Sequence, residues 1–184
     1  MRTPKPRRPS PPEQSLKSSL QKSLSGAQRI AVLAVGSSLR ADDAAGLLAA
    51  QELSSLLDKP RKHPTELPAV EIFLGETAPE NLTGPIKAFR PTHLIILDAL
   101  DTGREPGHVC LLHPDEIAAG GTASTHNASL RLLMDYLGQD LSCQILVIGI
   151  QPQTLEFGKP PSEPVLQAAH RIARRMAAAL SISR

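Results

Sequence analysis

The sequence predicts an α/β fold: a three-layer α/β/α sandwich around a mostly parallel, twisted sheet of five strands, with one edge strand antiparallel. Three observations carry that prediction. From Arg29 onward, short runs rich in β-branched residues alternate with longer segments of helical period. The runs are apolar on both faces, as strands are when helices cover both sides of a sheet. One pair of runs is joined by a loop of about eight residues, too short for the crossover helix that a parallel connection needs.

Taken in order, the chain opens with "MRTPKPRRPSPPEQ", whose prolines and charges deny it a helix and a packed core. "SLKSSLQKSL" at 15–24 spaces Leu16, Leu20 and Leu24 four apart, the period of a short amphipathic helix, but its length is marginal for an isolated one. Residues 1–28 are therefore expected to be a disordered basic extension, and 29–184 the folded domain. "RIAVLAV" (29–35), "AVEIFLG" (69–75), "HLIILDA" (93–99) and "CQILVIGI" (143–150) read as buried strands. "GHVCLLH" (107–113) alternates only weakly and is placed at the antiparallel sheet edge. "DAAGLLAAQELSSLL" (43–57), "ASLRLLMDYL" (128–137) and "SEPVLQAAHRIARRMAAAL" (162–180) carry helical period, the last opened by Ser162 as N-cap.

Composition narrows the function. The 184 residues suffice for one domain with a substantial core, and with aromatics at 2% that core must be Leu, Ile, Val and Ala. The first 30 residues carry a net charge of +6 and the remainder −4, so the basic character belongs to the tail. A basic tail without aromatics for base stacking and without a binding motif argues against a nucleic-acid partner. Cys110 and Cys143 both lie in apolar runs, which points to free thiols and a reducing, cytoplasmic setting rather than a disulfide framework. No apolar segment reaches the roughly 18 residues that span a bilayer, and the basic N-terminus lacks a secretory apolar stretch, so no membrane partner is expected.

In open α/β sheets ligands bind beyond the carboxyl ends of the parallel strands. Three groups fall there: Asp43 after the first strand, Asp98 closing "LIILD", and His126 in "STHN". Two carboxylates and an imidazole on strand-end loops make a mixed oxygen/nitrogen metal site with positions left for substrate or water. Each also has a plainer reading: Asp43 as a helix cap, Asp98 as a turn stabiliser, and Thr125, His126 and Asn127 as a cap. Their shared location favours the site.

These blocks also carry a resemblance. "VGSSLRADDAAG", "GETAPEN", "FRPTHLIILDALDTGREPGHV", "STHN" and "VIGIQPQTLEFG" occur in that order and with similar spacing in the nickel-iron hydrogenase maturation endopeptidases, most nearly the branch that processes the hydrogenase 3 large subunit. The resemblance spans about residues 29–180. It implies a monomeric cytoplasmic aspartyl-type endopeptidase that removes a C-terminal extension from the nickel-loaded large-subunit precursor. It also implies that Asp43, Asp98 and His126 bind nickel supplied with the substrate; Asp43 and Asp98 are the candidate catalytic residues, with water activated either by the metal or by a free carboxylate. Asp42 then fixes the loop or caps the helix. Ser37 stands where many members have Asn, and Ala44, where some have Gly, suggests ordinary helical backbone.

The rival chemistries are weaker. Neither a "GxSxG" elbow nor "HExxH" is present, and no spacing selects a triad from Ser37 or Ser38 with His126 and Asp98. A receiver-like phosphoacceptor, or another metal-binding regulatory module without protease activity, is the alternative. A receiver, however, has its acidic pair directly after strand one and a Lys closing strand five. Here residues 36–41 intervene and "GIQP" lacks the Lys. "GSSLRA" is not the glycine pattern that lets a backbone approach phosphates.

Overall fold

The computed structural model describes residues 13–58, 68–114, 116 and 125–180. Among them run α1 (Glu13–Ser23), β1 (Arg29–Val35), a 3-10 turn (Ala41–Ala44), α2 (Ala45–Leu57) and β2 (Ala69–Glu76). A second 3-10 turn (Pro79–Leu82), α3 (Thr83–Phe89), β3 (His93–Ala99), β4 (Val109–Leu112), α4 (Thr125–Asp140), β5 (Gln144–Ile150) and α5 (Glu163–Leu180) follow.

The sheet order is β2-β1-β3-β5-β4, parallel throughout except for the β4–β5 pair at the edge. The predicted antiparallel edge strand is thus present, but β5 lies between it and β3. Alternate residues of the strands feed two cores. Ile30, Val32, Ala34, Ile95, Leu97 and Ile148 pack with α1, α2 and α5. Ala31, Leu33, Leu94, Ile96 and Val147 point the other way, toward α3 and α4. This period of two is why the strand runs read as apolar on both faces.

Three elements differ from the expectation. Leu20 of α1 and Leu24 just after it are buried in the α2/α5 core, so the packed unit begins inside the segment assigned to the extension and not at residue 29. A short helix too weak alone is held by its docked leucines. The expectation of disorder for residues 1–12 lies outside the described residues. Helix α3 escaped the reading because seven residues ending at a left-handed Arg90 (φ 51°) show less than two turns of period. Helix α4 begins at Thr125, three residues early, which takes "THN" into its first turn.

Candidate active site

The chain leaves β1 for β2 on one side and returns to β3 on the other, so β1 and β3 are neighbours whose carboxyl ends diverge. That is the switch point where such sheets bind ligands. Two glycines set the local geometry. Gly36 ends β1 at φ 129°, and a Cβ there would drive into the Asp43 carbonyl oxygen. At Gly46 a Cβ would meet the carbonyl oxygens of Leu97 and Val35, so the first turn of α2 sits directly on the ends of β1 and β3. The turn between them starts at Ala41, a non-glycine at φ 46°, and delivers Asp42 and Asp43 in succession. Ala44 has helical backbone (φ −71°, ψ −4°), as expected. Ser37 turns its Oγ back to accept the Leu39 N–H at 3.3 Å, which keeps the loop folded with a hydroxyl in place of an amide.

The adjacent aspartates do different things. Asp42 is fully buried and faces away from the cleft, where its carboxylate accepts from Gln153 N (2.8 Å), Thr154 N (3.0 Å), Ser162 N (2.6 Å) and Ser162 Oγ (2.9 Å). It fixes a loop and caps no helix. The hydroxyl of Ser162, the residue expected to cap α5, donates to Asp42.

Asp43 and Asp98, both buried, line a cleft of about 790 Å³. Glu76 and Glu80 lie on its rim, and Leu133 and Tyr136 of α4 form the apolar wall. Among the described residues Asp98 accepts one hydrogen bond, from Ala99 N at 2.7 Å. Burial pushes its carboxyl up to about 7, with the nearby Asp43 charge adding to the rise and the Ala99 N–H opposing it. Two desolvated carboxylates in one cleft can share a proton or give it up to a cation.

The structure therefore brings Asp43 and Asp98 together. His126 falls in the first turn of α4, the helix that walls the cleft; its side chain lies outside the described residues. No group of three His, Cys, Asp or Glu disposed for a metal occurs among the described residues. The thiols do not compete as nucleophiles. Cys110 donates toward the Gly149 carbonyl and is raised to about 11 by burial, and burial raises Cys143 as well. Glu76 and Glu80 sit in "GETAPEN", a block the sequence singled out without giving its acids a role. Glu76 has a left-handed backbone (φ 48°) that only the structure reveals.

The sequence profile of the family described as hydrogenase maturation protease matches residues 52–179. The hydrogenase 3 maturation protease of Escherichia coli K12 is 34% identical over 145 residues, covering 79% of this chain and 86% of that protein. The crystal structure of the nickel-iron hydrogenase maturation protease HycI from Thermococcus kodakarensis superposes with a TM-score of 0.76 at 32% identity, covering 89% of this chain and 99% of that one. The hydrogenase maturating endopeptidase HybD of Escherichia coli gives 0.65 at 28%, covering 84% and 93%. With the fold, the strand-end carboxylates and these likenesses in agreement, the chain belongs to the hydrogenase maturation protease family and is a peptidase.

Proposed function

We propose that this protein removes a C-terminal extension from the large-subunit precursor of a nickel-iron hydrogenase, and that nickel already carried by the precursor is what Asp43, Asp98 and His126 recognise. One observation supports this above others. Asp98 is held close to neutral protonation at the switch point beside a second buried carboxylate, an arrangement that a substrate-borne cation relieves and that an empty site leaves strained.

In this reading, docking the nickel-bearing end of the precursor displaces the Asp98 proton and orders the scissile peptide along the cleft. Asp43 and Asp98 are assigned the catalytic work. One carboxylate takes a proton from the attacking water as its oxygen bonds to the scissile carbonyl carbon. The same proton passes to the leaving amine as the C–N bond breaks. The apolar wall of Leu133 and Tyr136 excludes water from the remaining surface of the peptide. The protein acts as a cytoplasmic monomer. Among the described residues no helix is long and apolar enough to cross a membrane.

The test mixes chelator-treated, desalted protease with purified nickel-loaded and nickel-free precursor and measures the mass of the C-terminus. Cleavage of the loaded form alone is expected. Equal cleavage of both would return the site to an ordinary resident-metal or metal-free protease.

A further inference from the structure

Among the buried polar side chains that the catalytic reading of Asp43 and Asp98 leaves without a part in the chemistry are Asp42 and Gln151. Both sit on one structure. Residues 151–162 cross the carboxyl end of the sheet between β5 and α5 as an irregular segment, and each end is bonded to a different site loop. Asp42 receives its four hydrogen bonds from Gln153 and Thr154, just past Gln151, and from Ser162 at the far end. The Asp42 N–H donates to the Thr154 carbonyl at 3.2 Å, and the Gly158 N–H donates to the Leu39 carbonyl at 2.8 Å. At the near end, Gln151 Oε1 accepts from Thr102 N (2.7 Å), Thr102 Oγ1 (3.0 Å) and Arg104 N (3.2 Å). Its Nε2 donates to Asp101 Oδ1 at 3.1 Å. The backbone joins in, with Gly107 N–H donating to the Gln151 carbonyl and Gln151 N–H to the His108 carbonyl.

The 101–108 loop is the continuation of β3 beyond Asp98, and Asp42 is the residue before Asp43. We propose that residues 151–162 are a brace, and that Asp42 and Gln151 are positioning residues which set the separation of Asp43 and Asp98 without touching substrate. The physical reason lies in where the two carboxylates stand. Like charges in a desolvated cleft repel, which tends to spread Asp43, in the turn after β1, from Asp98, near the end of β3. Backbone pairing holds β1 to β3 only through Ala34 and Leu97, so beyond the strand ends something else must resist that spreading. Charge-assisted bonds to Asp42 and the multiply bonded Gln151 amide supply it from one segment.

The inference rests on the metal-recognition reading of Asp43 and Asp98, and its test separates the two. In the full chain, Asp42→Asn, Gln151→Leu and the milder Ser162→Ala are compared with Asp43→Asn by calorimetric titration with Cd²⁺, well below each variant's unfolding midpoint. Amide hydrogen exchange is followed in parallel. The brace predicts that Asp42→Asn and Gln151→Leu each weaken Cd²⁺ binding by about tenfold or more, the loss typical of groups that orient a ligand from outside. It also predicts reciprocal exchange: Asp42→Asn speeds exchange at Thr102 and Arg104, and Gln151→Leu speeds it at Asp43, across the brace from each change. A stability-only role would lower the unfolding midpoint, leave Cd²⁺ affinity within about twofold and confine faster exchange to the mutated end. That result overturns the proposal. If Asp43→Asn itself leaves Cd²⁺ binding unchanged, the metal reading fails, and the exchange pattern alone decides for or against the brace. Where Asp42→Asn does not fold, Ser162→Ala, which removes one of the four donors, carries the same comparison.

Discussion

Asp42 and Asp98 are buried to nearly the same degree, 0% and 3% exposed, at the same carboxyl end of the sheet, and their environments are opposite. Asp42 has donors on both carboxylate oxygens, drawn from a segment more than a hundred residues away. Asp98 has one backbone donor and a second carboxylate for a neighbour. A buried charge with full hydrogen bonding fastens structure, whereas a buried charge left short of partners is unstable until something arrives to complete it. The first belongs to the frame of the site and the second to its chemistry.

The largest effect that sharpens this contrast is on activity. Asp43→Asn and Asp98→Asn should each lower precursor cleavage by about 100-fold or more, beyond the loss expected for residues that only orient a ligand. Both variants should remain folded by circular dichroism. Unimpaired cleavage in either would remove that carboxylate from the chemistry.

Stability should divide the pair the other way. Asp42→Ala takes the acceptor from three part-buried N–H groups and a hydroxyl, so chemical denaturation should show a loss of about 2–3 kcal/mol. A loss below about 1 kcal/mol would mean that water or backbone rearrangement replaces the carboxylate easily.

Asp98→Asn should stabilise the free protein, and only at higher pH. Because the folded state raises this carboxyl to about 7 from 3.8, its favourable contribution is complete below pH about 4 and is lost as pH rises through about 7. The variant should therefore match the parent near pH 4 and exceed it at pH 8 by roughly 2–4 kcal/mol. Melting curves at both values check this, and equal midpoints at pH 8 would contradict it. For the same reason Cd²⁺ affinity of the parent should fall by up to about tenfold per pH unit below 7, as the cation competes with that proton.

How much of this was readable from the sequence follows from how local each cause is. The strands were legible because two covered faces leave an unbroken apolar run, and Asp98 was legible because it is the first acid after such a run. Asp43 was separable from Asp42 only by likeness to the family, since nothing adjacent distinguishes them. What divides them is the position of Gln153, Thr154 and Ser162, which no local pattern announces. Gln151 was hidden for the same reason, its partners at Asp101 to Arg104 being 47 to 50 residues away. Helix α1 was half legible. Its leucine period stood in the sequence, but its burial depends on α5 offering a surface.

The central claim is that Asp98 is a carboxylate kept in reserve beside Asp43 for a cation brought by the substrate. A site-resolved carbon-13 titration of the Asp98 carboxyl, in the free protein and with saturating Cd²⁺, tests it most directly. The account predicts a midpoint of about 7 without metal, only a small fall in Asp43→Asn because burial is the main cause of the rise, and no protonation near neutrality once Cd²⁺ is bound. A midpoint in the usual carboxylate range, unmoved by Cd²⁺ and by Asp43→Asn, would contradict it.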